Sequence, residues 1–468
     1  IGKHIVVQGG TFLNDCVLRA FEKELGLEVT RPNIAGLMGA YGATLYARSR
    51  YVEKPKASTL LDSVALANFE HKVKAVTCGL CSNHCHLTVN TLGGGKPFIS
   101  GNRCERPVTH CAPDNSLNLY RQKLELLEDL RKEESSAVRG AIGIPMGLNM
   151  YELLPFWHAF FTKLGFKVVV SPIDDKKLCQ MGQNTIPSDT VCYPAKLMHG
   201  HIKWLLDQGI TNIFYPCMTY NFNENKAKNC FNCAVIAGYP EVIEANTLNF
   251  GKVKYINEYV GPHERAKFPA RFAKTLQKHF ADIDAATVKK AARKAYDAYD
   301  AYIADVREQG AKIVREARAQ GKRIIVLAGR PYHADPEINH GIHKLICALG
   351  FAVVSEDAVA AMAPDFKVNL LSQWTYHHRL FSAARYVAGQ EDMYLVHLVS
   401  FGCGLDALTA DEVRSILEVC GKLYTQIKID EVTNLGAVKI RLRSLIAAIE
   451  QENKRKEHED NFALQGAR

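Results

Sequence analysis

No run of apolar residues in this chain is long enough to cross a bilayer, and its start lacks the charged region, apolar region and cleavage site of an export signal. Also absent are a phosphate-binding loop ending in Lys-Ser/Thr and a complete Gly-x-Gly-x-x-Gly dinucleotide fingerprint. The stretch "TLGGGKP" is no substitute, because no Lys-Ser/Thr pair opens a helix there. No short-period repeat recurs either. These absences speak against a membrane protein, a P-loop nucleotidase and a dinucleotide enzyme, and the expectation is a cytoplasmic protein. The chain opens at Ile1, inside the apolar run "IGKHIVVQGG" and without a methionine, which reads as a piece of a longer polypeptide.

What is present is globular in composition: 468 residues, 47% hydrophobic and 23% charged, enough for two to four domains. The net charge of +9, from 58 basic and 49 acidic residues, is scattered along the chain. It therefore reads as solvated surface and predicts no nucleic-acid partner. Fourteen cysteines are the main signal. Without an export signal they point to metal or redox use in a reducing compartment.

The chain changes grammar along its length. Residues 1–50 read strand, glycine turn, helix, with "GLMGAYGATLYAR" as a second helix. Residues 51–135 hold a linker, a cysteine-rich segment and a charged helix. Strands and helices then alternate over 136–320 and again over 321–468, which is the pattern of two parallel-sheet α/β lobes. The first of these closes on an alanine-rich, solvated amphipathic helix near 283–320, and the tail after Ile449 is polar and expected to fray.

Three thiols share a local pattern. Cys192 precedes Pro194 and a helix in "IPSDTVCYPAKLMHGHIKWLL", Cys217 ends "NIFYPC", and Cys403 ends "YLVHLVSFGC". In "LVSFGCGLDALTADEV" the thiol sits between glycines, with a helix starting at a Thr409–Glu412 capping box. All three are expected at the carboxyl ends of parallel strands, where open α/β sheets bind ligands. Helix amides behind Cys192 and Cys403 favour thiolate. Three such thiols can hold a [4Fe–4S] cluster and leave one iron open. Three separate buried thiols is the plain alternative.

A second group, Cys78, Cys81, Cys85 and Cys104 in "CGLCSNHC…GNRCERP", has metal-site spacing and suits structural zinc or an iron–sulfur cluster equally. His84 and His86 add ambiguity. Cys233, with Cys230 nearby, is an optional further ligand. Cys16, Cys347 and Cys420 read as core, while Cys111 and Cys179 stay undecided. The Gly9–Gly10 turn in "IVVQGGTFLND" is on its own a plain tight turn.

The blocks "IPSDTVCYPAKLMHGHI", "IFYPCM", "NCAVIAGYPEVI", "WTYHHRL" and "SFGCGLDALTADEV…KIDEVTNLGAVKIRLRSL" closely resemble the large proteins related to 2-hydroxyacyl-CoA dehydratase activators. The resemblance covers nearly the whole chain. It implies two Rossmann-like lobes facing a cleft, preceded by a cysteine-rich cluster segment and the end of an actin/sugar-kinase-fold ATPase at residues 1–50. In that ATPase fold Gly9 and Gly10 lie against adenosine, so ATP or ADP acts through the activator portion. The resemblance also implies that Cys192, Cys217 and Cys403 hold the cluster between the lobes. It favours iron–sulfur over zinc at Cys78, and a double-cubane cluster is compatible with the same fold.

The function it implies is an iron–sulfur reductase that receives single low-potential electrons from an ATPase activator region, fused or separate. These pass to a small-molecule or acyl-CoA substrate. His333, Glu337, Asp189 and Glu431 are candidates for substrate binding or proton transfer, against ordinary capping and ion-pair roles. A homodimer is compatible with this reading. An electron carrier without catalysis and a zinc-stapled binding module are the alternatives.

Overall fold

The structure, a computed structural model, describes residues 2–55, 57, 59–80, 85–95, 97–102, 106–109, 114–133, 138–173, 176–224, 227–247, 250–400, 402–431 and 435–466. Cys81, Cys104 and Cys111 lie outside this set. Two compact units form, residues 1–73 with 90–97, and residues 74–89 with 98–468.

In the first unit β1 (Ile5–Val6) and β2 (Val29–Thr30) pair in parallel. The helix Asp15–Leu25 joins them, with Asn14 capping the Cys16 amide at 2.9 Å. No residue of that helix is buried, so Cys16 is exposed rather than part of a core. Gly9 and Gly10 form the turn after β1, with the Gly9 amide donating to Ala35 at 2.7 Å. A three-stranded sheet follows, of β3 (His71–Thr77), β4 (His86–Leu92) and β5 (Phe98–Ser100).

The second unit holds two parallel sheets of matching topology. β6 (Ala141–Ile144), β7 (Lys167–Val170), β8 (Asn212–Phe214) and β9 (Lys254–Ile256) lie in the order β7-β6-β8-β9. β10 (Ile324–Ala328), β11 (Ala352–Ser355), β12 (Met393–Ser400) and β13 (Tyr424–Ile429) lie in the order β11-β10-β12-β13. Each sheet is parallel throughout. Parallel sheets are covered on both faces, which is why β10 and β12 are buried at every residue, β10 being wholly apolar and β12 apolar except for His397 and Ser400. In both sheets the order doubles back between the first and third strands, the place where such folds bind ligands.

One continuous apolar core serves both sheets. Its largest aromatic group is on the helix Met150–Lys163, whose Phe156, Trp157, Phe160 and Phe161 are fully buried. Their rings meet Phe268, Phe272 and Phe214 at centroid distances of 4.6–6.1 Å. Burying each such side chain stabilises the fold by roughly 1.5–3 kcal/mol. The long helix Ala285–Ala319, capped by Asp284, turns an alanine and tyrosine stripe onto the same core. It is amphipathic but a structural wall, not a solvated connector. The last helix, Leu435–Gly466, continues well past Ile449. Its Glu, Gln, Lys and Arg residues are strong helix formers, so a polar composition there does not mean a frayed end.

Candidate thiol site

Three helices of the second unit start at a cysteine. Cys192 caps Tyr193–Asp207, Cys233 caps Ala234–Asn246 and Cys403 caps Gly404–Glu418. All three thiols are half-buried. Cys233 acts as a capping side chain in its own right, its sulfur accepting from the Ile236 amide at 3.5 Å. Cys192 makes no such side-chain bond; the Ala195 amide donates to the Cys192 carbonyl at 2.9 Å and, lying close to the sulfur, favours its thiolate. Gly402, at φ 73°, makes the left-handed turn that delivers Cys403 to its helix. The helix therefore begins at Gly404, five residues before Thr409. No capping box forms, since the Thr409 hydroxyl donates to Leu405 and Glu412 accepts the Asn369 amide.

The three thiols share one electrostatic neighbourhood. Burial pushes the Cys192 thiol up to about 11, the Ala195 amide opposes this, and the charges of Cys233 and Cys403 add to it. Burial likewise raises Cys233, with the Ile236 amide and Arg330 opposing and Cys403 adding. Arg330, just past the end of β10 and 6% exposed, acts on this neighbourhood. Its Nη2 donates to Cys403 Sγ at 3.4 Å and its Nη1 to the Tyr332 hydroxyl at 3.0 Å. It also pairs with buried Asp406, which accepts the Ser400 amide at 2.8 Å. Burial alone would lower the Arg330 pKa, but Tyr332, Cys403 and Cys233 outweigh it and the guanidinium is held charged.

Behind Arg330 stands a set of neutral histidines. Fully buried His333 accepts the Arg330 amide on Nδ1 at 3.2 Å, so its Nε2 carries the proton toward Ser400 Oγ at 3.3 Å. Gly329 is required here, because a Cβ would fall 2.2 Å from His333 Nδ1. His377 is 5% exposed, and neither ring nitrogen has a hydrogen-bond partner among the described residues. Burial, first of all, keeps His333 and His377 well below the usual histidine range. His377, Arg330, Cys233, Tyr332, Trp374 and Phe231 line a cavity of about 10 Å³.

Cys217 is placed differently. It lies three residues beyond β8, fully buried, in a bridge to Tyr259. Burial raises its thiol to about 11, and Glu241, the Tyr259 hydroxyl and Glu244 also act on the sulfur. Among the other candidates, Asp189 and Glu431 are exposed partners of Lys196, at 3.9 and 3.4 Å. Glu337 accepts from the Tyr193 hydroxyl at 3.3 Å. Cys347 is buried, whereas Cys420 is exposed because it lies beyond the end of the helix Gly404–Glu418. Cys78 and Cys85 are buried, with the Cys78 amide donating to the Cys85 carbonyl at 2.8 Å.

Sequence pattern does not single out Arg330, Asp406 or His377. A signal for Arg330 exists, since "LAGRPYH" places it directly after a buried strand at the sheet's turning point.

Among the described residues no three His, Cys, Asp or Glu side chains converge closely enough to hold a single metal ion. A cubane makes a different demand, taking one thiolate per iron, so its ligands surround it instead of meeting at a point. Three soft donors, helix amides behind them and a buried cation fit that demand in kind.

Fold and site together define an α/β protein with two four-stranded parallel sheets and a thiol–guanidinium centre. Residues 141–359 match a family model described as the CoA enzyme activase uncharacterised domain. That span runs from β6 through β11 and includes Cys192, Cys217, Cys233 and Arg330, but not Cys403. Over it the chain is similar to a domain associated with the activation of CoA enzymes. No curated protein matches the chain. Among the described residues no helix is long and apolar enough to cross a membrane.

Proposed function

We propose that this chain is the iron–sulfur reductase part of an ATP-dependent electron-transfer system related to 2-hydroxyacyl-CoA dehydratases, passing single electrons to a small-molecule or acyl-CoA substrate. The observation that carries the reading is a buried guanidinium that donates to Cys403, lines a cavity with Cys233 and acts electrostatically on Cys192, each thiol being the cap of a helix. Cys192, Cys233 and Cys403 would hold a [4Fe–4S] cluster there, which when bound supplies one-electron chemistry at low potential. The Ile236 and Ala195 amides favour the thiolate forms that ligation needs. Arg330 balances their charge, and Asp406 fixes Arg330 in place. Tyr332, Trp374 and Phe231 line the cavity on the Cys233 side.

Cys217, engaged by Tyr259 and Glu241, is in this reading a nearby thiol that is not a ligand. Cys78, Cys81, Cys85 and Cys104 form a second centre that feeds electrons inward. Residues 1–50 belong with an activator ATPase, in which Gly9 and Gly10 lie against adenosine. The match over residues 141–359 supports the link to CoA-enzyme activation.

The test is anaerobic reconstitution of the full chain with iron and sulfide, followed by iron and acid-labile sulfide analysis and electron paramagnetic resonance. Stoichiometric sulfide and a reduced-cluster signal are expected. A colourless protein that retains neither iron nor sulfide contradicts the reading.

A further inference from the structure

We infer that Arg330, restrained by Asp406, sets the electron affinity of the thiol centre; this rests on the cluster reading above. Arg330 donates to Cys403 Sγ at 3.4 Å, and its charge also acts on Cys192 and Cys233. One guanidinium therefore addresses all three proposed ligands. It is 6% exposed, so little water screens it. Its side chain is restrained at both ends of the fork, because Tyr332 accepts from Nη1 while Asp406 pairs with Nη2, the nitrogen that also reaches Cys403. Asp406 is itself fixed by the Ser400 amide and sits in the first turn of the helix Gly404–Glu418, where a carboxylate is favoured.

Reduction adds one electron, from a low-potential one-electron donor, and no bond or proton need move in the pair. Arg330 is a permanent cation and stabilises the added negative charge. Asp406 opposes it. The neighbouring His333, His377 and His397 are buried and held neutral, so they contribute dipoles and no competing charge. The two members of one ion pair should thus move the potential in opposite directions. A merely structural pair would not do this.

The experiment is a dithionite titration, followed by electron paramagnetic resonance, of anaerobically reconstituted wild type, Arg330→Gln, Arg330→Lys and Asp406→Asn. Arg330→Gln should weaken electron uptake at least tenfold, a shift of about 59 mV to more negative potential. Arg330→Lys should recover most of that loss, and Asp406→Asn should shift the potential to more positive values. Normal iron content with wild-type potential in Arg330→Gln overturns the inference and leaves the cluster reading standing. Where Arg330→Gln takes up no iron, Asp406→Asn decides: an unchanged or more negative potential overturns it. A wild type that binds no iron removes the cluster reading itself, before any variant is made.

Discussion

Arg379 Nη1 lies 2.6 Å from Glu152 Oε2, with both side chains almost fully buried. The pair ties the helix Thr375–Ala388 of the second sheet's lobe to the helix Met150–Lys163 of the first, and Glu224 closes on the same guanidinium. Burial raises the Glu152 pKa and Arg379 opposes it. Arg379→Met would strand two carboxylates, at a cost of about 3–5 kcal/mol. Urea unfolding should show a clearly lower midpoint with an unchanged slope. An unaltered midpoint would mean that the lobes are held by apolar packing alone.

Glu356 is a second buried carboxyl whose pKa is raised. Its Oε2 accepts the Gly329 amide at 3.2 Å, and burial, then Asp357, pushes it up to about 7. A carboxyl whose folded pKa is raised binds more protons when folded, so stability falls as pH rises from about 4.5 to 7. At ~1.36 kcal/mol per unit the difference is on the order of a few kcal/mol. Glu356→Gln should match wild type near pH 4.5 and exceed it above pH 7. Thermal unfolding across that window checks this, and a constant difference between the two proteins at all pH values would reject it.

Gly329→Ala tests the packing behind Arg330. The added methyl meets His333 Nδ1 at 2.2 Å in a fully buried site, and overpacking of this kind costs roughly 1–3 kcal/mol. The His333–Ser400 contact should be displaced, which the imidazole resonances of His333 would report. A variant as stable as wild type with unmoved resonances would show that this turn is loose.

Much of the parallel α/β pattern is legible in the sequence, because a parallel sheet buried on both faces leaves largely apolar runs such as "RIIVLAG" and "YLVHLVS" between helical patterns. The site is only partly legible. Cys403 stands out through its glycines, whereas Cys233 reads as secondary when strand ends are the guide. Its distinguishing mark is that it begins a helix, as Cys192 and Cys403 do in "CYPAKLMHG" and "CGLDALTADEV". The supposed capping box failed because Glu412 is spent on the Asn369 amide, a contact 43 residues away that no local pattern encodes. The place of Arg330 after a buried strand is readable, but its role is not, for a related reason. Its meaning comes from Cys403 and Asp406, more than seventy residues downstream.

The central claim is that Cys192, Cys233 and Cys403 hold one cluster, and iron content after single Cys→Ser replacement tests it most directly. Wild type and the variants at positions 192, 217, 233 and 403 would be reconstituted without oxygen and assayed for iron, sulfide and low-temperature resonance. Replacement at 192, 233 or 403 should remove or degrade one cluster while the signal of the Cys78 group persists, because the two centres share no ligand. Cys217→Ser should keep its iron. If Cys403→Ser retains full iron content and both signals, or if Cys217→Ser alone loses a cluster, the account is wrong.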